Sequence, residues 1–241
     1  MADKLIGIIQ NEFGPEYKVV SFESFGKEKV KEMKKAGVNA DNTLVVSCVC
    51  RDDILHRGNH LTEYFDRKKY GVFYIGGLMG FPTGGVTGLI AASHHVPEGK
   101  NRHLLIVYGP HIGVSSQGEF GKVKRRGHYE DTSDCGALMG FLKTFQHDAK
   151  PGRIYMPPKD QLDLENCSLQ AKFIPHMRDV IGSANSVVSL TKLAYDLIED
   201  DIFRIVERAR GEMHDMKIME LGAIFVNGPD GKDYLCIKHK E

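Results

Sequence analysis

Two short runs constrain this chain more than any other feature. "TLVVSCVC", residues 43–50, and "HLLIVYG", residues 103–109, are rich in β-branched and aliphatic residues and lack the polar alternation of a strand with one wet face. Such runs suit strands buried on both faces, as in a parallel sheet covered by helices. Helical signals surround them. "GKEKVKEMKKA", residues 26–36, joins good helix formers to a closing Gly37. Residues 3–13, "CGALMGFLKTFQ", residues 160–181 and residues 185–211 also read as helices, the last with Val187, Leu190, Ala194, Ile198, Ile202 and Val206 on one apolar face. The tail, "IMELGAIFVNGPDGKDYLCIKHK", reads as two apolar strands joined at the turn "NGPDG". Strands mixed with helices predict an α/β layered fold: a mostly parallel central sheet flanked by helices, closed by a C-terminal β-hairpin. With 241 residues and no repeat, low-complexity tract or Pro/Ser-rich linker, residues 1–241 are expected to form a single domain.

Charge and cysteine content narrow the function. Lys plus Arg equals Asp plus Glu at 32 each, so no overall field draws the chain to nucleic acid or to an anionic membrane. "KVKRRG" is a local basic patch, but it lacks the interleaved aromatics of a nucleic-acid platform. No uncharged apolar run approaches the ~20 residues that span a bilayer. The opening, "MADKLIGIIQNEFG", has acidic residues on both sides of a short apolar stretch, unlike a secretory signal. A cytoplasmic protein without nucleic-acid or membrane partners is expected. Five cysteines, an odd number thinly spread, fit a reducing compartment, where a cysteine cluster points to metal or catalysis.

Three segments carry candidate chemistry: the first strand's end with Cys48, Cys50 and Asp52, the second strand's end "YGPHIG" with His111, and the helix start "DCGA" with Cys135. In an open α/β sheet, functional groups collect at the carboxyl ends of strands. Two cysteines and a histidine suit zinc and leave a fourth position free. Gaps of 61 and 24 residues match no compact zinc finger, so spacing alone leaves a purely structural role open. Six glycines within residues 76–88 permit tight packing, but the stretch lacks the GK[ST] ending of a phosphate loop. Cys167 and Cys236 read as core residues. His56 and His60, near the motif, read as proton relays, and His94, His95, His103 and His128 as surface or satisfied histidines.

"FYIGGLMGFPTGGVTGLIAASHHVP", "LLIVYGPHIGVSSQGEFGKVKRRG", "CGALMGFL" and the closing "LGAIFVNGPDGKDYLCIKH" together resemble the limiting-CO2-inducible B/C protein family, which includes the theta class of carbonic anhydrases. The likeness runs from about Thr43 to the end. It implies an architecture similar to β-carbonic anhydrases, a zinc held by Cys50, His111 and Cys135, and a homodimer. Cys50-Arg51-Asp52 fits the β-type Cys-x-Asp pattern and Cys48-Val49-Cys50 does not, so Cys48 stands as a reserve ligand or a packing residue. In the β-type motif an arginine follows the Asp by two residues, where this chain has Ile54. Arg125 in "KVKRRG" resembles the family's arginine in that block. Arg57 is its rival nearby, and Arg51, on the opposite strand face, is a third choice.

The resemblance implies a zinc-dependent carbonic anhydrase that hydrates CO2 reversibly to bicarbonate by hydroxide generated on the zinc. Asp52, kept ionised by an arginine, would orient the attacking oxygen. Leu78, Phe81 or Val86 would wall the uncharged substrate. The alternative is a catalytically silent zinc protein of the same fold, acting as a bicarbonate-binding or assembly partner. A further rival is a thiol hydrolase with Cys135 as nucleophile and His111 as base.

Overall fold

The computed structural model of the chain describes residues 2–56, 61–148 and 159–239. Arg57 and His60, named above, lie outside these residues. In chain order the elements are α1 (Ala2–Phe13), β1 (Tyr17–Ser21), α2 (Phe22–Lys35), β2 (Thr43–Val49), α3 (Leu61–Arg67), β3 (Gly71–Tyr74), α4 (Gly85–Ser93), β4 (Arg102–Gly109), β5 (His111–Gly113), β6 (Lys122–Lys124), β7 (Asp131–Ser133), α5 (Gly136–Asp148), α6 (Leu164–Phe173), α7 (Met177–Gly182), α8 (Ser186–Ala209), β8 (Met216–Gly222), β9 (Ile224–Asn227) and β10 (Asp233–Lys238).

The two apolar runs become β2 and β4, neighbours at the centre of a four-stranded sheet ordered β3-β2-β4-β8 in which every pair is parallel. Every residue of β2 is buried, as is every residue of β4 but Arg102, which is why neither run alternates. α4 packs on β2, α8 on β4, and the two helices pack on each other. No helix among the described residues is long and apolar enough to cross a membrane.

A second sheet, ordered β1-β10-β9-β5, is antiparallel except where β5 runs beside β9. The two sheets meet at a bend. In the first, β4 and β8 place Tyr108 opposite Gly222; past the bend, β5 and β9 place His111 opposite Phe225 in unchanged register. Gly109 makes the bend possible. Its φ is 146°, and a Cβ there would collide with the Ala223 carbonyl. Pro110 offers no N–H to the ladder, while its carbonyl still accepts from Phe225 N at 2.9 Å. His111 is thereby set just beyond the carboxyl end of a central strand.

Several elements differ from the sequence reading. α2 begins four residues early because the Ser21 hydroxyl caps it, accepting from Ser24 N at 3.4 Å. Residues 160–181 divide into α6 and α7, separated by a turn at Ile174–His176 that contains Pro175. The tail forms three strands instead of two: β8 joins the parallel sheet, and β9 and β10 make the hairpin, with Asp233 opposite Asn227. Cys236 is buried as expected, whereas Cys167 on α6 is half-buried.

Candidate metal centre

Cys50 directly follows β2, His111 opens β5, and Cys135 immediately precedes α5. One ligand atom from each lies within 4.8 Å of the others, and the residues are 4, 0 and 2% exposed. Among the described residues no other set of three His, Cys, Asp or Glu ligand atoms meets this closely. The Cys135 carbonyl accepts from Met139 N at 2.9 Å, so the thiol sits at the start of α5, where the helix dipole favours a thiolate.

Two nearby side chains orient the histidine. His111 Nδ1 lies 3.2 Å from Asn227 Oδ1 and 3.2 Å from Asp134 Oδ2. Nε2 is buried without a hydrogen-bond partner and is the nitrogen left for a metal. Both Asp134 carboxylate oxygens are also buried and make no hydrogen bond. A buried, unbonded carboxylate beside two sulfurs calls for a cation. The donor set and the orphaned nitrogen therefore fit a borderline-soft divalent ion such as zinc.

The protonation of the cluster agrees with that fit. The Cys135 thiol, donating to Cys50, holds the Cys50 thiol down to about 4 against the effect of burial, and His111 adds to the pull. Cys135 is correspondingly pushed up, by its bond to Cys50 and by burial. Burial opposes charge on His111, yet Asp134 and Cys135 raise it well above its usual value. One thiolate, one thiol and a cationic imidazole thus share this space, and a bound cation takes the place of their protons.

Beside the cluster, Asp52 is gripped through both oxygens by Arg125, with Nη1 to Oδ1 and Nη2 to Oδ2 each at 2.8 Å. Arg125 also reaches Asp53 Oδ1 at 2.5 Å and the Asp134 carbonyl at 3.1 Å, tying the β6–β7 turn to the end of β2. Burial would raise Asp52, but the Arg125 hydrogen bonds, His111 and the Ile54 amide hold it down to about 2. The cluster of mutually close ligand atoms does not extend to Asp52.

The other residues weighed from the sequence lie elsewhere. Arg51 turns to Glu165 at 3.2 Å, the Gly76 carbonyl at 3.3 Å and Thr83 at 3.3 Å. Cys48 donates to the Gly80 carbonyl at 3.3 Å, and burial raises its thiol. It packs the glycine-rich loop onto the strand ends. Phe81 meets Phe173 edge-on in the core, at 5.7 Å between centroids. His56 stacks edge-on against Tyr74. A cleft of about 430 Å³ opens beside Arg125, bordered by Ile54, Arg126, His128, Gly228 and Asp233. A larger one, about 760 Å³ between α2, α3 and the β9–β10 turn, contains none of the three clustered residues. Sequence reasoning missed Asp134 and Asn227. "DCGA" placed a carboxylate next to Cys135, which was a usable signal, whereas Asn227 was hidden inside a turn motif.

Fold and site together define a carbonic-anhydrase-like α/β protein with a possible Cys-His-Cys metal centre. The chain belongs to the family of limiting CO2-inducible proteins B/C beta carbonic anhydrases, which matches residues 19–241. It is similar to the crystal structure of PtLCIB4, a homolog of the limiting CO2-inducible protein LCIB, with a TM-score of 0.80 and 25% identity over 95% of this chain and 92% of that one. The crystal structure of LCIB shares the fold, with a TM-score of 0.64 and 21% identity over 92% and 88% of the two chains. Among curated proteins none matches.

Proposed function

We propose that this chain is a zinc-dependent carbonic anhydrase interconverting CO2 and bicarbonate. One observation carries the reading: a carboxylate held through both oxygens by Arg125 stands two residues after Cys50, beside three converging ligands. Zinc, when bound by Cys50, His111 and Cys135, supplies Lewis acidity that lowers the pKa of water from about 15.7 to about 7. The chain's own residues do the rest. Ionised Asp52 can only accept a hydrogen bond, so it takes the O–H of the attacking water and turns a lone pair toward carbon. Arg125 keeps Asp52 ionised and fixed in direction. It also restrains the carboxylate from swinging onto the metal, which leaves a fourth tetrahedral position for chemistry.

That restraint weighs against the silent alternative, which needs Asp52 as a standing ligand. The thiol-hydrolase reading fares worse, since Cys135 is buried and its thiol is pushed up, the opposite of an activated nucleophile. Metal analysis with stopped-flow CO2 hydration tests the proposal. A zinc-loaded chain should exceed the buffer rate, and one that does not rejects the enzyme reading.

A further inference from the structure

The C-terminal hairpin meets the candidate centre through a side chain that is not itself a ligand. Asn227, the last residue of β9, is 1% exposed and engaged at both ends of its amide. Its Nδ2 donates to Asp233 Oδ1 at 3.2 Å, while its Oδ1 lies 3.2 Å from His111 Nδ1. Strand pairing brings these groups together: Asn227 faces Asp233 across the hairpin, and β5 runs beside β9 with Gly113 opposite Asn227.

The two ends of an amide are alike in shape and opposite in hydrogen-bonding sense. An ionised Asp233 only accepts, so it takes the NH2 end and turns the carbonyl end toward His111. The imidazole must then carry its proton on Nδ1, and Nε2 keeps the lone pair that a metal requires. Asp134 does not replace this lock. Its Oδ2 is 3.2 Å from the same nitrogen but makes no hydrogen bond, so it supplies charge without a direction.

We infer that Asp233 is a positioning residue that sets the tautomer and ring orientation of His111 through Asn227, making the closing hairpin a working part of the centre. The inference rests on the proposed metal-binding role of Cys50, His111 and Cys135. Cobalt(II) affinity of the full chain, read from thiolate-to-cobalt absorption, tests it. Asp233→Leu keeps the volume but removes the acceptor and should weaken binding about tenfold. Asp233→Asn still offers an acceptor oxygen and should stay within about twofold of wild type. Asn227→Leu should lose at least as much as Asp233→Leu, and the double variant no more than Asn227→Leu alone. If Asp233→Leu does not fold, Asp233→Val provides the same contrast on a strand-compatible side chain. Equal cobalt affinity in wild type and Asp233→Leu, an Asp233→Asn as weak as Asp233→Leu, or additive losses would each overturn the inference and leave the metal reading intact. A wild-type chain that takes up no cobalt would overturn the metal reading, and this inference with it.

Discussion

Each of the three candidate ligands holds a place that the other two cannot fill. A centre with three protein ligands keeps little affinity with two, so Cys50→Ser, His111→Ala and Cys135→Ser should each lose most of their zinc. Elemental analysis checks this, and unchanged zinc in any one variant removes that residue from the set. Asp233 has a separate pH signature. Burial, aided by the charge of Asp134, pushes its carboxyl up to about 6 from 3.8, against the Asn227 and Gly228 hydrogen bonds. A raised carboxyl contributes stability that is full below the unfolded value and lost as pH rises through the folded one. In urea titrations of the metal-free protein between pH 4 and 7, wild type should lose about 3 kcal/mol relative to Asp233→Asn. A difference that stays constant over that window contradicts it. The sequence alone made Cys50, His111, Cys135 and Asp52 legible, because strand ends and a Cys-x-Asp pattern are local features. Whether Arg125, Arg51 or Arg57 faces Asp52 was not legible, since that depends on where the β6–β7 turn docks. Asn227 was hidden for a similar reason: its partners, His111 and Asp233, become neighbours only when β9 pairs on both sides.

At the scale of elements, the bend after β4 carries the geometry. Gly109→Ala should cost at least about 3 kcal/mol, through both a positive φ and collision with the Ala223 carbonyl. Gly140 is the matched contrast, exposed in α5 with open space where a Cβ would stand, and Gly140→Ala should stabilise by up to about 1 kcal/mol. Denaturant midpoints of the two variants check both values, and a well-tolerated Gly109→Ala would remove the steric account of the bend. β2 and β4 were readable because burial on both faces leaves an unbroken apolar run. β3 was missed because it is a four-residue edge strand with no buried position. α4, "GVTGLIAAS", reads in sequence as part of a glycine-rich loop; its packing on β2 and α8 overrides the poor helix propensity of its glycines.

At the scale of the whole molecule, the centre is a crossing point of remote segments. Residues 50, 111 and 135 come from the ends of β2 and β4 and the start of α5, with the closing hairpin behind the histidine. From the family resemblance we also propose a homodimer. Sedimentation equilibrium should give about twice the chain mass of 26.9 kDa, and a constant 26.9 kDa species at all concentrations contradicts it. The claim that matters most is that a carboxylate pinned by arginine works beside a three-ligand metal. Its most direct test is stopped-flow CO2 hydration by wild type and Asp52→Asn matched for zinc content. The expected result is a rate well above buffer for wild type and a fall of about a hundredfold or more for Asp52→Asn with zinc retained. Equal rates in the two proteins would contradict the account.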